Sequence, residues 1–234
     1  MTTFAPHDKK LRNTGIGTSD ASTIMGANPY KTRVELWQEK TGQIEITESF
    51  NEKAFWGNVM EEPVLRNLPW IMERRGFNRQ NHIIRKDGRT YWHPSMIDGN
   101  KFMYGHLDGR IGKDIAEIKF QSGMSKAWEK HIVPPWFYWQ GISALSLVAN
   151  AELWNIYSLF NNEIIFRHLN KTDEKVKSDI NLFLDSAHEF WEINVLKGEC
   201  SNPVNERDIR IANPEEKLIS VVIPFAIKEI LKEA

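Results

Sequence analysis

The chain of 234 residues has a single cysteine, Cys200. One cysteine excludes an internal disulfide, a four-cysteine zinc site and a four-cysteine iron–sulfur cluster, and it suits a reducing compartment. No apolar run approaches the ~18–20 residues that cross a bilayer, so no membrane span is expected. The start, MTTFAPHDKKLR, has no apolar stretch behind a basic opening, so no signal peptide is expected. Internal repeats and low-complexity segments are also absent. Net charge is −1, without the overall basic excess of many nucleic-acid binders, although a local basic stripe can serve the same purpose. What remains is ordinary for a globular protein: 41% apolar and 26% charged residues. Nine tryptophans supply core anchors or stacking surfaces.

Periodicity and punctuation predict a mixed α/β chain. Helices are expected over 18–26, 33–41 and 51–68, with Thr18 or Ser19 as the first N-cap and a kink near Pro63. Strands are expected over 79–85, 90–96, 102–111 and 115–120. A short helix over 122–131 and a longer one from Pro134-Pro135 through Val148 follow, the latter with proline in its first turn. A hairpin over 152–169 and a helix from a Thr172 cap to about Leu196 complete the pattern. The expected fold is α/β, a small central mixed sheet flanked by helices.

The stretch HLDGRIGKDIAEIKF (106–120) carries the chemistry. A two-residue turn at Gly112-Lys113 pairs Ile111 with Asp114, Arg110 with Ile115 and Gly109 with Ala116, and would set Asp108 opposite Glu117. Like charges directly opposed on a sheet are destabilising. Lys119 shares the face of Glu117, and the alternate residues Leu107, Ala116, Ile118 and Phe120 point into a core. Asp-Gly is also a common turn dipeptide and Glu-x-Lys a common solvated strand face, so the polar side also reads as the wet face of a half-buried sheet. In the other reading a Mg²⁺ ion relieves the repulsion. Such an ion needs only one or two carboxylates, and beside a lysine it serves phosphodiester hydrolysis.

Asp108 followed by Glu117-Ile118-Lys119 resembles the PD-(D/E)xK nuclease signature. Three further segments resemble one branch of it, the YqaJ / phage lambda-type alkaline exonuclease family of viral recombinases. They are GIGTSDASTIMGANPYKTRVELWQEKTG (15–42), WGNVMEE (56–62) and WQGISALSLVANAELWNIYSL (139–159), in family order from about Arg12 to Val195.

The resemblance implies a PD-(D/E)xK restriction-endonuclease-like core over residues 1–197. Residues 198–234 form a C-terminal extension, packed on the same domain or at a subunit interface. It implies Asp108 and Glu117 as ligands of Mg²⁺, with Mn²⁺ as a substitute, and Lys119 serving the attacking water. Glu61 matches the glutamate of the family's Trp-Gly-x-x-x-Glu helix, and Gln140 the glutamine that opens the next helix. Ile142 stands where relatives carry a second glutamine. Arg12 and Ser19 match the arginine and serine that read a 5′-phosphate, and helix N-termini favour anions. His106 stands where lambda-type relatives have a small hydroxyl residue. The hairpin register would set His106 opposite Lys119, to tune it, touch a phosphate or fill space. Lys9, Lys10, Arg12, Arg74, Arg75, Arg79, Arg85 and Lys86 are candidate DNA-backbone contacts. His82, His93 and His131 lack metal-ligand spacing and read as structural or surface groups.

The implied activity is Mg²⁺-dependent digestion of the 5′ strand of linear double-stranded DNA, leaving 3′ tails for recombination. The implied partners are DNA ends with 5′-phosphate, two further copies in a homotrimer ring and a single-strand annealing protein. The implied setting is the bacterial cytosol, with the chain encoded by a phage or prophage. Alternatives are a structure- or sequence-specific endonuclease on the same core, a non-catalytic DNA-binding assembly protein, and a structural domain with a salt-bridged hairpin.

Overall fold

The computed structural model describes residues 11–44, 52–121, 128, 132–160 and 163–200. Its centre is a five-stranded mixed sheet in the order β10-β9-β8-β7-β2: Glu163–Asn170, Leu153–Phe160, Asp114–Gln121, Gly109–Ile111 and Arg85–Lys86. β8 and β9 run parallel and the other neighbours antiparallel. The parallel pair is joined through helix α4 (Pro135–Leu147), which starts with proline in its first turn, as the sequence predicts. A second sheet, β1-β6-β3, joins Ile16–Gly17, Met103–His106 and Thr90–Trp92. β4 (Met96–Ile97) and β5 (Asn100–Lys101) form a small hairpin.

Helices cover both faces of the five-stranded sheet. The helix ahead of it, α3 (Glu52–Arg74), lays Leu68 and Met72 on Ala116, Tyr157 and Ile164. It is longer than the sequence pattern predicts and includes Pro63 and Pro69. On the opposite face α4 and α5 (Glu174–Glu189) bury Ile142, Leu145 and Phe183 with Ile115, Trp154 and Ile156. Near the start, α1 (Ala21–Ile24) follows a 3-10 turn at Thr18–Asp20. The next helix, α2 (Arg33–Lys40), opens with a reciprocal capping box between Thr32 and Glu35.

Several expectations are corrected. The strand expected over 102–111 is two strands in two sheets, broken at Leu107-Asp108. The Asp108 carboxylate accepts the Ile118 N–H at 2.7 Å, replacing a ladder bond with a side-chain bond where the chain changes sheet. Residues 79–82 form a 3-10 turn, capped by the Asn78 side chain on Gln80 N–H at 3.0 Å, and only Arg85–Lys86 is strand. Residues 11–14, where no element is expected, are helical. Asp173, not Thr172, is the N-cap of α5, because Thr172 turns its N–H and hydroxyl to Asn170 Oδ1. That helix continues as a π-helix over Phe190–Leu196. Ile118 is half-buried and Phe120 exposed, whereas Leu107 and Ala116 are in the core as expected. The helix expected over 122–131, apart from Trp128, and nearly all of the extension after Gly198 lie outside the described residues.

Candidate active site

The hairpin register is the predicted one: Gly109 with Ala116, Arg110 with Ile115, Ile111 with Asp114. Its turn carries φ +60° at Gly112, the value a leading glycine permits. The ladder ends at Gly109, so Asp108 lies just outside it while Glu117 stays on the central strand. Alternation along β8 sends Ile115, Glu117 and Lys119 to the α4 face. Glu117 is therefore not on a wet face: only 4% of it is exposed.

A buried carboxylate needs compensation. Glu117 Oε1 ion-pairs with Lys119 Nζ and accepts Gln140 Nε2–H at 2.7 Å. Gln140 reaches it from the first half of α4, whose crossover over β8 and β9 is what brings the two together. Even so, burial first and the Asp108 charge second push the Glu117 carboxyl up to about 7. Burial works against the Lys119 cation, but Glu117, Asp108 and Glu61 together hold its pKa above the ordinary lysine value. Lys119 Nζ also lies 5.8 Å from the centre of the Phe137 ring. Glu61 comes from α3 on the other face and pairs with Lys86 at 3.3 Å.

The donor chemistry fits a hard divalent cation. The Asp108 charge acts on the buried Glu117 carboxyl, with one lysine beside them. Among the described residues no group of three or more His, Cys, Asp or Glu side chains gathers; Asp108 and Glu117 are the carboxylates here that would hold a divalent ion.

The predicted phosphate residues meet in a separate cavity of about 210 Å³, lined by Arg12, Ser19 and His106 among others. Lys40 fixes this corner: its Nζ donates to the carbonyls of Arg12 and Gly15 at 2.6 and 2.8 Å and pairs with Asp20 at 2.9 Å. Burial raises the Asp20 carboxyl, but Lys40 beside it brings it below the usual range. Ser19 is not an N-cap: Asp20 accepts the Gly17 N–H, and Ser19 is exposed at the cavity. His106 does not oppose Lys119. It belongs to β6, pairs with Thr90, and its Nε2 meets Thr90 Oγ1 at 2.9 Å.

Sequence reasoning thus names the groups that converge but misses two supports. Phe137 lies one helical turn before Gln140, a spacing that would have found it. Thr90 carries no sequence signal, since its pairing with His106 is a tertiary event.

A family model described as the YqaJ-like viral recombinase domain matches residues 9–151. An uncharacterized YqaJ protein of Bacillus subtilis is 30% identical over 194 residues, 81% of this chain. This chain spans 56% of that relative's length. Among solved structures, an alkaline exonuclease of Laribacter hongkongensis aligns over 84% of this chain and 100% of its own, with TM-score 0.51 and 14% identity. A phage-related exonuclease of Haemophilus somnus aligns over 82% and 100%, with TM-score 0.55 and 12% identity. The Laribacter enzyme has also been solved in complex with dAMP. At these identities the likeness concerns the fold, which is the restriction-endonuclease-like one expected from the sequence.

Proposed function

Because the chain belongs to the YqaJ-like viral recombinase family, we propose that it is a Mg²⁺-dependent exonuclease that digests the 5′ strand of linear duplex DNA. The observation that carries this reading is the buried Glu117, flanked by Asp108, Lys119 and Gln140. A fold that only needed a hairpin would place an apolar residue there. Mn²⁺ would substitute for Mg²⁺ at the same two carboxylates.

Each side chain then has a role. Asp108 and Glu117 would hold the cation, which would supply Lewis-acid polarisation of the scissile phosphate and a more acidic water. Gln140 donates to Glu117 Oε1 and fixes that carboxylate's orientation. Lys119, whose Nζ ion-pairs with Glu117 Oε1, serves the attacking water and neutralises charge developing on the phosphate. Glu61 adds negative charge that acts on the same centre from α3. Arg12, Ser19 and His106 receive the terminal 5′-phosphate, Arg12 by its fork of donors.

Residues 1–197 make up the catalytic domain and 198–234 an extension on that domain or at a subunit contact. A homotrimer ring explains how a chain of net charge −1 stays on its DNA. The 3′ tail it leaves passes to a single-strand annealing protein, within the bacterial cytosol of a phage or prophage host.

Topology of the substrate is the test. Linear duplex should be degraded with Mg²⁺ while a covalently closed circle stays intact. Cleavage of the circle would replace the exonuclease with an endonuclease on the same core. Binding without cleavage of either would reduce the chain to an assembly protein.

A further inference from the structure

The tip of the β7-β8 hairpin borders a second, larger cavity of about 570 Å³. Five cations line it, Arg85, Lys86, Arg89, Arg110 and Lys113, against one lining carboxylate, Asp87. Asp87 is already committed. It is buried and accepts two bonds from the Arg89 guanidinium at 2.9 and 2.8 Å, one from the Arg89 N–H at 3.1 Å and one from Tyr91 Oη at 2.6 Å. Lys86 reaches out to Glu61 and Lys113 to Glu152. Among the described residues no carboxylate pairs with Arg85 or Arg110. Counting those two outer carboxylates with Asp87, five positive charges meet three negative ones, in a chain whose total is −1.

Two of the guanidinium groups, Arg89 and Arg110, are held by the fold. Arg110 donates to Tyr91 Oη at 3.0 Å and to the Lys113 carbonyl, and its Nε is buried without a partner. Arg89 and Arg110 both lie over the Tyr91 ring, at 5.2 and 5.9 Å. Such preorganised guanidinium groups suit a phosphodiester anion better than a diffuse counterion cloud does.

The cavity also has a direction. Lys86 lines it and touches Glu61, whose charge acts on Lys119. The hairpin tip is four residues from Asp108, about 13 Å at the rise of a strand. A DNA backbone with a phosphate at Asp108 and Glu117 would therefore extend into these cations. The Arg12–His106 cavity shares no lining residue with this one.

We propose that this basin, Arg85, Arg89, Arg110 and Lys113 with Lys86 at its inner rim, binds backbone phosphates of duplex DNA outside the cleavage site. The proposal rests on the nuclease reading for the identity of the polyanion, but its test reads binding alone.

The experiment measures affinity for a fluorescent duplex across a salt series, for the full chain and for Arg85→Ser/Lys113→Ser, both exposed positions. The log–log salt slope should fall by about two in the double variant, one for each phosphate left without its cation. Arg85→Lys/Lys113→Arg should restore the slope, which separates charge from misfolding. Lys177→Ser, on α5 and outside the cavity, should keep the original slope. An unchanged slope in the serine variant would overturn the proposal. So would equally tight competition by inorganic phosphate, which would assign the basin to a small anion. The nuclease reading stands or falls separately, on whether the unmodified chain cuts the same duplex.

Discussion

At the residue scale the site turns on a carboxylate that burial should forbid. Glu117 is tolerated because Lys119 and Gln140 share one of its oxygens. The Gln140 side chain bonds Glu117, so in the proposed mechanism it acts through that carboxylate as a positioning residue. Replacing it with alanine is expected to lower the rate of a single turnover about 10–100-fold, the usual cost of losing such a support. The same variant should need more Mg²⁺ for half-maximal rate, a shift that general destabilisation would not produce. The residue types were legible in the sequence: carboxylate, carboxylate, lysine and a glutamine in family order. Their burial was not. Glu-x-Lys at alternate positions reads as a solvated face, and only the helix that crosses over β8 makes it an interior one.

At the scale of elements, close packing of α4 on β9 aims Gln140. A methyl group at Gly141 would lie 2.6 Å from Trp154 Cε3 and 2.9 Å from Leu169 Cδ1. Gly141→Ala is therefore expected to lift the helix and cost about 1–3 kcal/mol, read as a lower denaturant midpoint with unchanged slope. It should also slow the nuclease, since Gln140 moves with its neighbour. The helices and the hairpin register were legible because period and turn chemistry are local. The break at Asp108 was not, because alternation continues through Leu107 and Asp108 while the chain passes from one sheet to another. That break separates His106 from Lys119 and puts it in the phosphate cavity with Arg12. The basic cluster at the hairpin tip was half legible: Arg85 and Lys86 stood out, whereas Arg89, Arg110 and Lys113 join them only through the fold.

For the molecule as a whole, buried titratable groups pull stability in opposite directions as pH falls. Burial lowers the pKa of His82, whose Nδ1 meets Tyr157 Oη at 2.8 Å. Burial, and then the charge of Lys171, lowers that of His93. The unfolded chain binds these protons near pH 6.5 and the native one does so only at lower pH, so the histidine contribution falls as pH drops below about 6.5. Glu117, pushed up to about 7, contributes with the opposite sign over the same range. Chemical unfolding at pH 5 and pH 7.5 should therefore show His82→Phe losing less stability on acidification than the unmodified chain, even though the variant leaves the Tyr157 hydroxyl unpartnered. The family and the fold were legible at this scale because four separated segments stand in one order. No helix among the described residues is long and apolar enough to cross a membrane, as the hydropathy pattern anticipated.

The most direct measurement labels a linear duplex at one 5′ end or at one 3′ end and follows both labels with Mg²⁺, for the unmodified chain and for Lys119→Ala. The expected result is early release of the 5′ label as mononucleotide, a 3′-labelled strand that shortens progressively from its far end, and neither event in the variant. Early release of the 3′ label would contradict the assigned polarity. Digestion that persists in Lys119→Ala would contradict the assigned site.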